Sequence, residues 1–218
     1  MSSPPEAAET ADPRRPRKPQ QARAVRTRSR VLDAAVACFE AHGFDETTTA
    51  MIAERAGVAV GTVYGYFTDK RDILLELLDS VVRAEADAVI ARLDPASWEG
   101  GDPLELARSL IDMVFHTQRM RPGIQRILWE RYFKDAAFRA AFDQIREQIR
   151  GAIDAFLDAV DARGLARPLR DRELASAVIL NAVQWNATQA LLAGDPERID
   201  HAAHATAELI VRYVFKNA

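Results

Sequence analysis

The sequence predicts an all-α protein with about nine helices and no β-sheet. Three observations lead to this fold class. Helix-forming residues dominate the 218-residue chain, and it contains no run of alternating β-branched residues. Apolar residues instead recur every three or four positions in the long segments. Asp-Pro pairs and glycines, which start and stop helices, lie between these segments.

The first predicted helix begins near Gln21 and ends at Gly43. Residues 1–20 are rich in Pro, Ala and charged residues, which predicts a disordered tail. Although the net charge is −3, residues 14–30 carry eight Arg or Lys and no acid. Basic charge is therefore concentrated near one end of the chain, as contact with nucleic-acid phosphates requires. The RRPRK run is either a solvated tail or an arm that follows a DNA groove.

The next two predicted helices are short and lie within TTTAMIAERAGVAVGTVYGYFTDK, residues 47–70. Thr48 is placed to cap the first of them. Gly57 ends that helix, since glycine adopts the left-handed cap conformation at low cost. Val63 and Phe67 form the inner face of the second helix. Two helices of this length bury too little apolar surface to be stable alone. Together with the first long helix, they predict a three-helix helix-turn-helix domain.

The remaining helices form a predicted helical body. A long helix, capped by Asp69, runs to about Leu93 and connects the N-terminal helices to this body. Asp-Pro pairs at 102–103 and 195–196 mark helix starts, because Asp caps a helix and Pro fits its first turn. The predicted limits of the other helices are 102–120, 124–133, 136–163, 171–192 and 195–215.

Residues 26–78 resemble the TetR family of transcriptional regulators. The resemblance rests on three pieces in the correct order: FEAHGF, then TTTAMIAERAGVAVGTVYGYF, then Asp69-Lys70 before a long apolar helix. It implies a helix-turn-helix DNA-binding domain at 21–68 and an effector-binding and dimerisation domain at 69–218. It further implies a homodimer that binds a palindromic double-stranded DNA operator, most often as a repressor, and is released by a small-molecule effector.

The second helix of a helix-turn-helix enters the major groove and presents its N-terminal residues to the bases. In this sequence those positions are Ala59, Val60, Gly61, Thr62 and Gly65. The resemblance implies that Thr62 and Tyr64 contact the DNA backbone and bases. By the same resemblance, the predicted phosphate and supporting contacts are Thr48, Thr49, Tyr66 and Lys70. Additional affinity is expected from the arginines of the first helix, namely Arg23, Arg26 and Arg28.

This sequence departs from the usual family pattern at the reading helix. The family commonly has serine at the position of Ala59, lysine or glutamine at Val60, and a larger side chain at Gly65. Here all three side chains are small or apolar. We therefore expect few direct hydrogen bonds to bases, and van der Waals contact with thymine methyl groups instead.

The last two predicted helices are apolar on more than one side. One stripe of the penultimate helix comprises Leu174, Val178, Trp185 and Leu192. A helix that is apolar most of the way round must be covered on both sides. The body covers one side, so we expect a homodimer in which the last two helices of each protomer form a four-helix bundle.

The helices between residues 102 and 163 carry most of the aromatic residues. These side chains are either core residues or, as the resemblance implies, part of an effector pocket for a largely apolar small molecule. The residues predicted to line such a pocket are Phe115, His116, Trp129, Phe133, Asn181, Gln184 and Trp185.

No motif for catalysis, metal binding or a cofactor emerges, so an enzyme is not expected. His201 and His204 share one helix face, but no third ligand is close in sequence. No segment is predicted to cross a membrane or to act as a signal peptide, which favours the cytoplasm. Two other classes stay open. One is a helical protein that binds DNA constitutively without a ligand, and the other is a protein–protein adaptor.

Overall fold

The computed structural model describes residues 18–98, 101–119 and 122–216, which contain nine α-helices. In the described residues there is no β-strand, only an isolated bridge between Ala166 and Phe215. The predicted all-α fold is therefore confirmed. The helices are α1 (Lys18–Glu46), α2 (Thr49–Ala56), α3 (Val60–Tyr64), α4 (Lys70–Leu77, a π-helical turn Leu78–Val82, and Arg83–Leu93), α5 (Pro103–Arg119), α6 (Pro122–Lys134), α7 (Ala136–Ala162), α8 (Arg172–Leu192) and α9 (Pro196–Val214).

Helix α1 begins three residues before the predicted start at Gln21, and most of the predicted tail, including nearly all of RRPRK, lies outside the described residues. Gly43 interrupts α1 with φ 77° and ψ 170°, which is the predicted break. The turn that follows is held by Thr47, which is fully buried. Its hydroxyl donates to the carbonyls of Gly43 (2.7 Å) and Cys38 (3.2 Å), so this polar side chain is satisfied inside the core.

Helices α2 and α3 begin and end at the predicted residues of the turn. The hydroxyl of Thr48 accepts the amide of Met51 at 3.2 Å, which caps α2. Gly57 ends α2 in the left-handed conformation with φ 61°. Arg30 of α1 adds a second cap, because its guanidinium donates to the carbonyls of Ala56 and Gly57. We refer to α1–α3 together as the head.

The apolar core of the head continues into the rest of the chain. Its centre is formed by fully buried side chains of α1, α2 and α3, such as Phe39, Ile52 and Val63. The same cluster also contains buried residues of α4, α6 and α7, namely Ile73, Leu74, Leu77, Leu78, Ile127, Leu128, Phe138, Phe142 and Ile145. The predicted domain boundary after residue 68 therefore falls within one continuous core.

The predicted long fourth helix contains a π-helical turn at Leu78–Val82. A π turn inserts a residue into the α-helical repeat and so changes which face the following residues present. Before this turn, Ile73, Leu74 and Leu77 are buried against the head. After it, Leu93 is buried in a second core cluster. A single helix thus contributes to both cores.

The second core cluster lies between α4, α5, α7, α8 and α9. Aspartates cap each of these helices: Asp69 for α4, Asp102 for α5, Asp135 for α7, Asp171 for α8 and Asp195 for α9. The chain end is fixed to the α7–α8 loop, because the Arg167 amide donates to the Val214 carbonyl at 2.7 Å. No helix among the described residues is long and apolar enough to cross a membrane.

Candidate functional site

One side of α3 is open to solvent and the other faces the core of the head. Val63 is fully buried, whereas Val60 is 40% exposed and Tyr64 is 56% exposed. Ala59 is the N-cap residue of α3 and has no side-chain cap hydrogen bond. A side chain at Gly61 would meet no atom within 4 Å. The start of α3 is therefore a small, smooth surface that can approach another molecule closely.

Hydroxyl groups surround this surface. The Tyr64 hydroxyl lies 3.0 Å from the Thr49 hydroxyl, so α2 positions the exposed ring. Thr62 and Tyr66 are half-buried, and Tyr66 packs beside Phe67 with ring centroids 6.5 Å apart. A side chain at Gly65 would lie 3.3 Å from the carbonyl of Thr62, so a small residue also suits the local backbone. The structure thus brings the predicted α2 and α3 residues to one face of the head.

Lys70 is turned away from this face. Its ammonium donates to the carbonyls of Phe44 (2.9 Å), Asp45 (2.7 Å) and Thr47 (2.9 Å) and lies 4.8 Å from the centroid of the Phe44 ring. All three ammonium hydrogens are therefore used inside the protein. The predicted phosphate contact of the Lys70 side chain does not fit this geometry. Lys70 instead fixes the turn between α1 and α2.

The arginines of α1 also divide into two groups. Arg23 and Arg26 are exposed, and the described hydrogen bond of Arg26 is a 3.3 Å contact with the carbonyl of Ala22, one turn earlier. Arg28 forms a 2.9 Å ion pair with Glu76 of α4 and stacks on Phe67. Arg30 caps α2, as described above. Arg28 and Arg30 thus each have one guanidinium nitrogen bonded within the protein, whereas Arg23 and Arg26 are exposed on α1.

A cavity of about 420 Å³ lies between the helices of the second core cluster. Its wall is mostly aliphatic, with Val89 and Leu93 from α4, Leu110 and Ile111 from α5, and Ile153 and Leu157 from α7. The size is that of a pocket for a small organic molecule. Glu85, Gln125 and Gln184 are the polar exceptions among the lining residues that the structure describes.

Comparison with known proteins identifies the fold and its DNA-binding part. The profile of "Bacterial regulatory proteins, tetR family" matches residues 31–77, from α1 through the first half of α4. The repressor KstR of Mycobacterium tuberculosis is 26% identical over 181 residues, which cover 79% of this chain and 77% of KstR. Residues 31–77 thus match the TetR family of bacterial regulatory proteins, and a relative named as a transcriptional repressor matches most of the chain. The regulator TtgR of Pseudomonas putida is 33% identical over 127 residues, or 58% of this chain and 59% of TtgR.

Solved structures of TetR-family regulators share this fold. The SmeT–triclosan complex has a TM-score of 0.72 and 21% identity, and the match covers 88% of this chain and 93% of SmeT. FadR of Bacillus subtilis, solved with stearoyl-CoA, has a TM-score of 0.69 and 22% identity, over 85% of this chain and 98% of FadR. At this level of identity the likeness concerns the fold, which is the all-helical arrangement described above.

Most of the residues predicted to line an effector pocket lie outside this cavity. Of the seven predicted residues, only Gln184 faces it. Phe115 is buried but outside the cavity, and His116 is on the surface. Asn181 accepts a 2.6 Å hydrogen bond from Arg146. Trp129 packs in an aromatic group with Tyr132, Phe133, Phe142 and Trp185, of which only Phe142 is among the described lining residues. The sequence analysis looked for a pocket among the aromatic residues, whereas aliphatic side chains form most of the wall of this cavity.

An apolar stripe on α8 and α9 is open to solvent. Leu174, Val178, Trp185 and Leu192, the stripe predicted on α8, are each between 47% and 60% exposed. On α9, Leu209 is 59% exposed and Tyr213 is 42% exposed. The opposite faces of both helices are buried in the second core cluster. The stripe thus has the unpartnered apolar surface that the sequence predicted.

Two contacts, one between the head and α6 and one between α4 and α7, involve residues that sequence reasoning did not single out. Arg131 of α6 bonds Asp45 at 3.1 Å and stacks on Phe44, with its guanidinium carbon 4.6 Å from the ring centroid. Arg71 of α4 forms a bidentate pair with Asp135, the N-cap of α7. Partners that lie 64 and 86 residues apart leave no local signal in a sequence.

Proposed function

We propose that this chain is a TetR-type repressor that binds a palindromic DNA operator as a homodimer and is released by a small-molecule effector. One observation carries the proposal. A structured helix-turn-helix with an exposed reading helix is connected by α4 to the wall of an apolar cavity in the same chain. Its relatives support this assignment, since KstR is named as a transcriptional repressor. Bacterial operators lie in the cytoplasm, which is therefore the proposed location.

The DNA contacts are assigned to the exposed side of the head. Ala59, Val60 and Gly61 carry no side-chain hydrogen-bond donor, so they fit against thymine methyl groups. Thr62 and Tyr64 supply hydroxyl groups at the same surface, and Thr48 and Thr49 lie beside them on α2. Exposed Arg26 reaches phosphates from α1. Sequence recognition then depends more on shape and apolar contact than on hydrogen bonds.

The effector is assigned to the cavity. SmeT and FadR, which share the fold, were solved with triclosan and stearoyl-CoA, both molecules with large apolar parts. A cavity with a mostly aliphatic wall suits a largely apolar molecule. Helix α4 lines the cavity with Val82 and Val89 and packs on the head with Ile73 and Leu74. An effector that favours one position of α4 therefore changes the position of the head.

Selection of duplex DNA from a random pool by the full-length chain tests this function. We expect enrichment of an inverted repeat whose half-site centres lie about one DNA turn or more apart. The Tyr64→Ala variant should enrich no sequence, because it removes a half-exposed ring from the reading surface without touching the core. Enrichment of no sequence by the unaltered chain would contradict DNA recognition. An operator complex that resists every ligand shown to bind the chain would instead support constitutive binding.

A further inference from the structure

The polar atoms in the cavity wall indicate which chemical class of effector it accepts. We propose that the ligand is neutral and largely apolar, and that it carries a hydroxyl group which donates a hydrogen bond to Oε1 of Gln184. This inference rests on the proposed function, because it names the ligand class of the same cavity. Two features of the cavity support this ligand class: the charged residues of its described wall and one buried hydrogen-bond acceptor.

The charge of the wall disfavours an anion. Among the described residues that line the cavity there is no Lys, Arg or His. A carboxylate or phosphate drawn into this space would lose its hydration without gaining a cationic partner. Glu85, the acidic residue of the described lining, is already engaged in an interaction within the chain. The described part of the wall therefore offers an anionic head group no cationic partner, whereas an apolar tail fits.

Gln184 provides the acceptor. Its side-chain oxygen is buried, and no group in the described part of the chain donates a hydrogen bond to it. The backbone carbonyl of the same residue is already used, since the Thr188 hydroxyl donates to it at 2.8 Å. That hydroxyl in turn accepts the indole N–H of Trp129 at 3.1 Å. Helix α8 is thus held in place around Gln184, which lines the cavity, and Oε1 has no hydrogen-bond donor among the described residues.

A buried acceptor without a donor is unfavourable, so a ligand that supplies one gains affinity. An alcohol or phenol supplies the donor without introducing a charge. An ether of the same length cannot donate, and an amine introduces a cation. The oxygen and nitrogen of a glutamine amide exchange places by a simple flip of the group. A flipped amide would favour the ether as much as the alcohol, so these ligands distinguish the two orientations.

Calorimetric titration of the full-length chain, without DNA, tests the ligand class with four matched probes: decanol, methyl nonyl ether, decanoate and decylamine. We expect decanol to bind about tenfold more tightly than the ether, the difference that one hydrogen bond of about 1.4 kcal/mol gives. Decanoate should bind more weakly than the ether because the described wall offers it no cation, and decylamine should do so because Glu85 is already engaged within the chain. Tightest binding by either ion, or equal binding of decanol and ether, would overturn the proposal.

Two variants assign the effect to Gln184. Gln184→Leu should reduce the tenfold preference for decanol over the ether to about one, because it removes the acceptor and keeps the apolar volume. Gln144→Leu, an exposed glutamine of α7 outside the cavity, should leave the preference unchanged. If Gln184→Leu does not fold, the probe series on the unaltered chain decides alone.

The titrations and the operator selection test different claims, so either one can fail while the other succeeds. A chain that enriches an operator but binds none of the four probes retains the proposed DNA recognition and refutes this ligand class. A chain that binds decanol with the expected preference but enriches no DNA supports the ligand class and contradicts the repressor function.

Discussion

At the scale of single residues, Lys70 shows that a basic side chain near the reading helix need not contact DNA. Its three hydrogen bonds join the end of α1 to the turn before α2. We predict that Lys70→Met lowers the free energy of unfolding by about 1–3 kcal/mol, the usual cost of losing hydrogen bonds from a charged group. Urea unfolding measures this change. The salt dependence of operator binding should stay the same, because no phosphate contact is lost.

Arg26→Met is the matched comparison. Arg26 is exposed on α1, so its replacement should leave the unfolding free energy nearly unchanged. It should also reduce the slope of log binding constant against log salt by about one phosphate contact per protomer. The opposite pattern, in which Lys70→Met lowers the slope and keeps the stability, would restore Lys70 as a phosphate ligand.

At the scale of secondary-structure elements, one ion pair joins the first turn of α4 to the N-terminus of α7. The guanidinium of Arg71, together with the amides of Phe138 and Ala137, holds the pKa of Asp135 well below its usual range. Because folding lowers this pKa, the carboxylate stabilises the fold above its unfolded pKa of about 3.9. This stabilisation is lost as the pH falls from that value through the folded pKa.

We predict that Asp135→Asn lowers the melting temperature by a constant amount between about pH 5 and pH 8, and by progressively less below about pH 4. Asparagine keeps the helix cap, so the change isolates the charge. Arg71→Gln should show the same pH profile, and the two substitutions together should cost less than their sum. Melting curves measured across this pH range check the prediction. Strictly additive effects would show that the pair does not couple the two helices.

At the scale of the whole molecule, the exposed stripe of α8 and α9 is the surface on which a second copy is expected to pack. Trp185 lies in the middle of the α8 stripe and is 52% exposed. We predict that Trp185→Arg converts the dimer to a monomer, because it places two charges at the centre of an apolar interface. Light scattering after size exclusion measures the mass.

Leu165→Arg is the control for this substitution. Leu165 is a 38% exposed apolar residue in the α7–α8 loop and is not a member of the stripe. It should leave the dimer and operator binding intact, whereas Trp185→Arg should weaken binding to the palindrome much more than to one half-site. A Trp185→Arg chain that remains a dimer at micromolar concentration would place the interface elsewhere.

Local signals in the sequence were sufficient for the fold. Thr48, Gly57, Asp69, Asp171 and Asp195 act at the helix ends where their types and positions predicted them. A cap depends on neighbours within a few residues, which is why a sequence reveals it. The π turn was not predicted, because no local residue type marks it.

The cavity depended on contacts that the sequence does not show. Residues 110, 111 and 114 of α5 line it, whereas Phe115, the next residue, faces elsewhere. One step along a helix rotates the side chain by about 100°, so apolarity alone cannot distinguish the two. The sequence is equally ambiguous for Lys70, because a lysine ammonium can bind either a DNA phosphate or a backbone carbonyl of its own chain.

The continuous core beneath the head has a consequence for exchanging parts between regulators. Ile127, Phe138 and Ile145, from α6 and α7, belong to the same apolar core as the buried side chains of the head. A chimera that joined residues 1–68 of this chain to the body of another regulator would lack these three side chains. The rest of the core would then be formed by residues of the other protein. We expect a stable chimera to need these three side chains as well as the head. The part that selects the operator and the part that selects the effector are therefore not independently exchangeable.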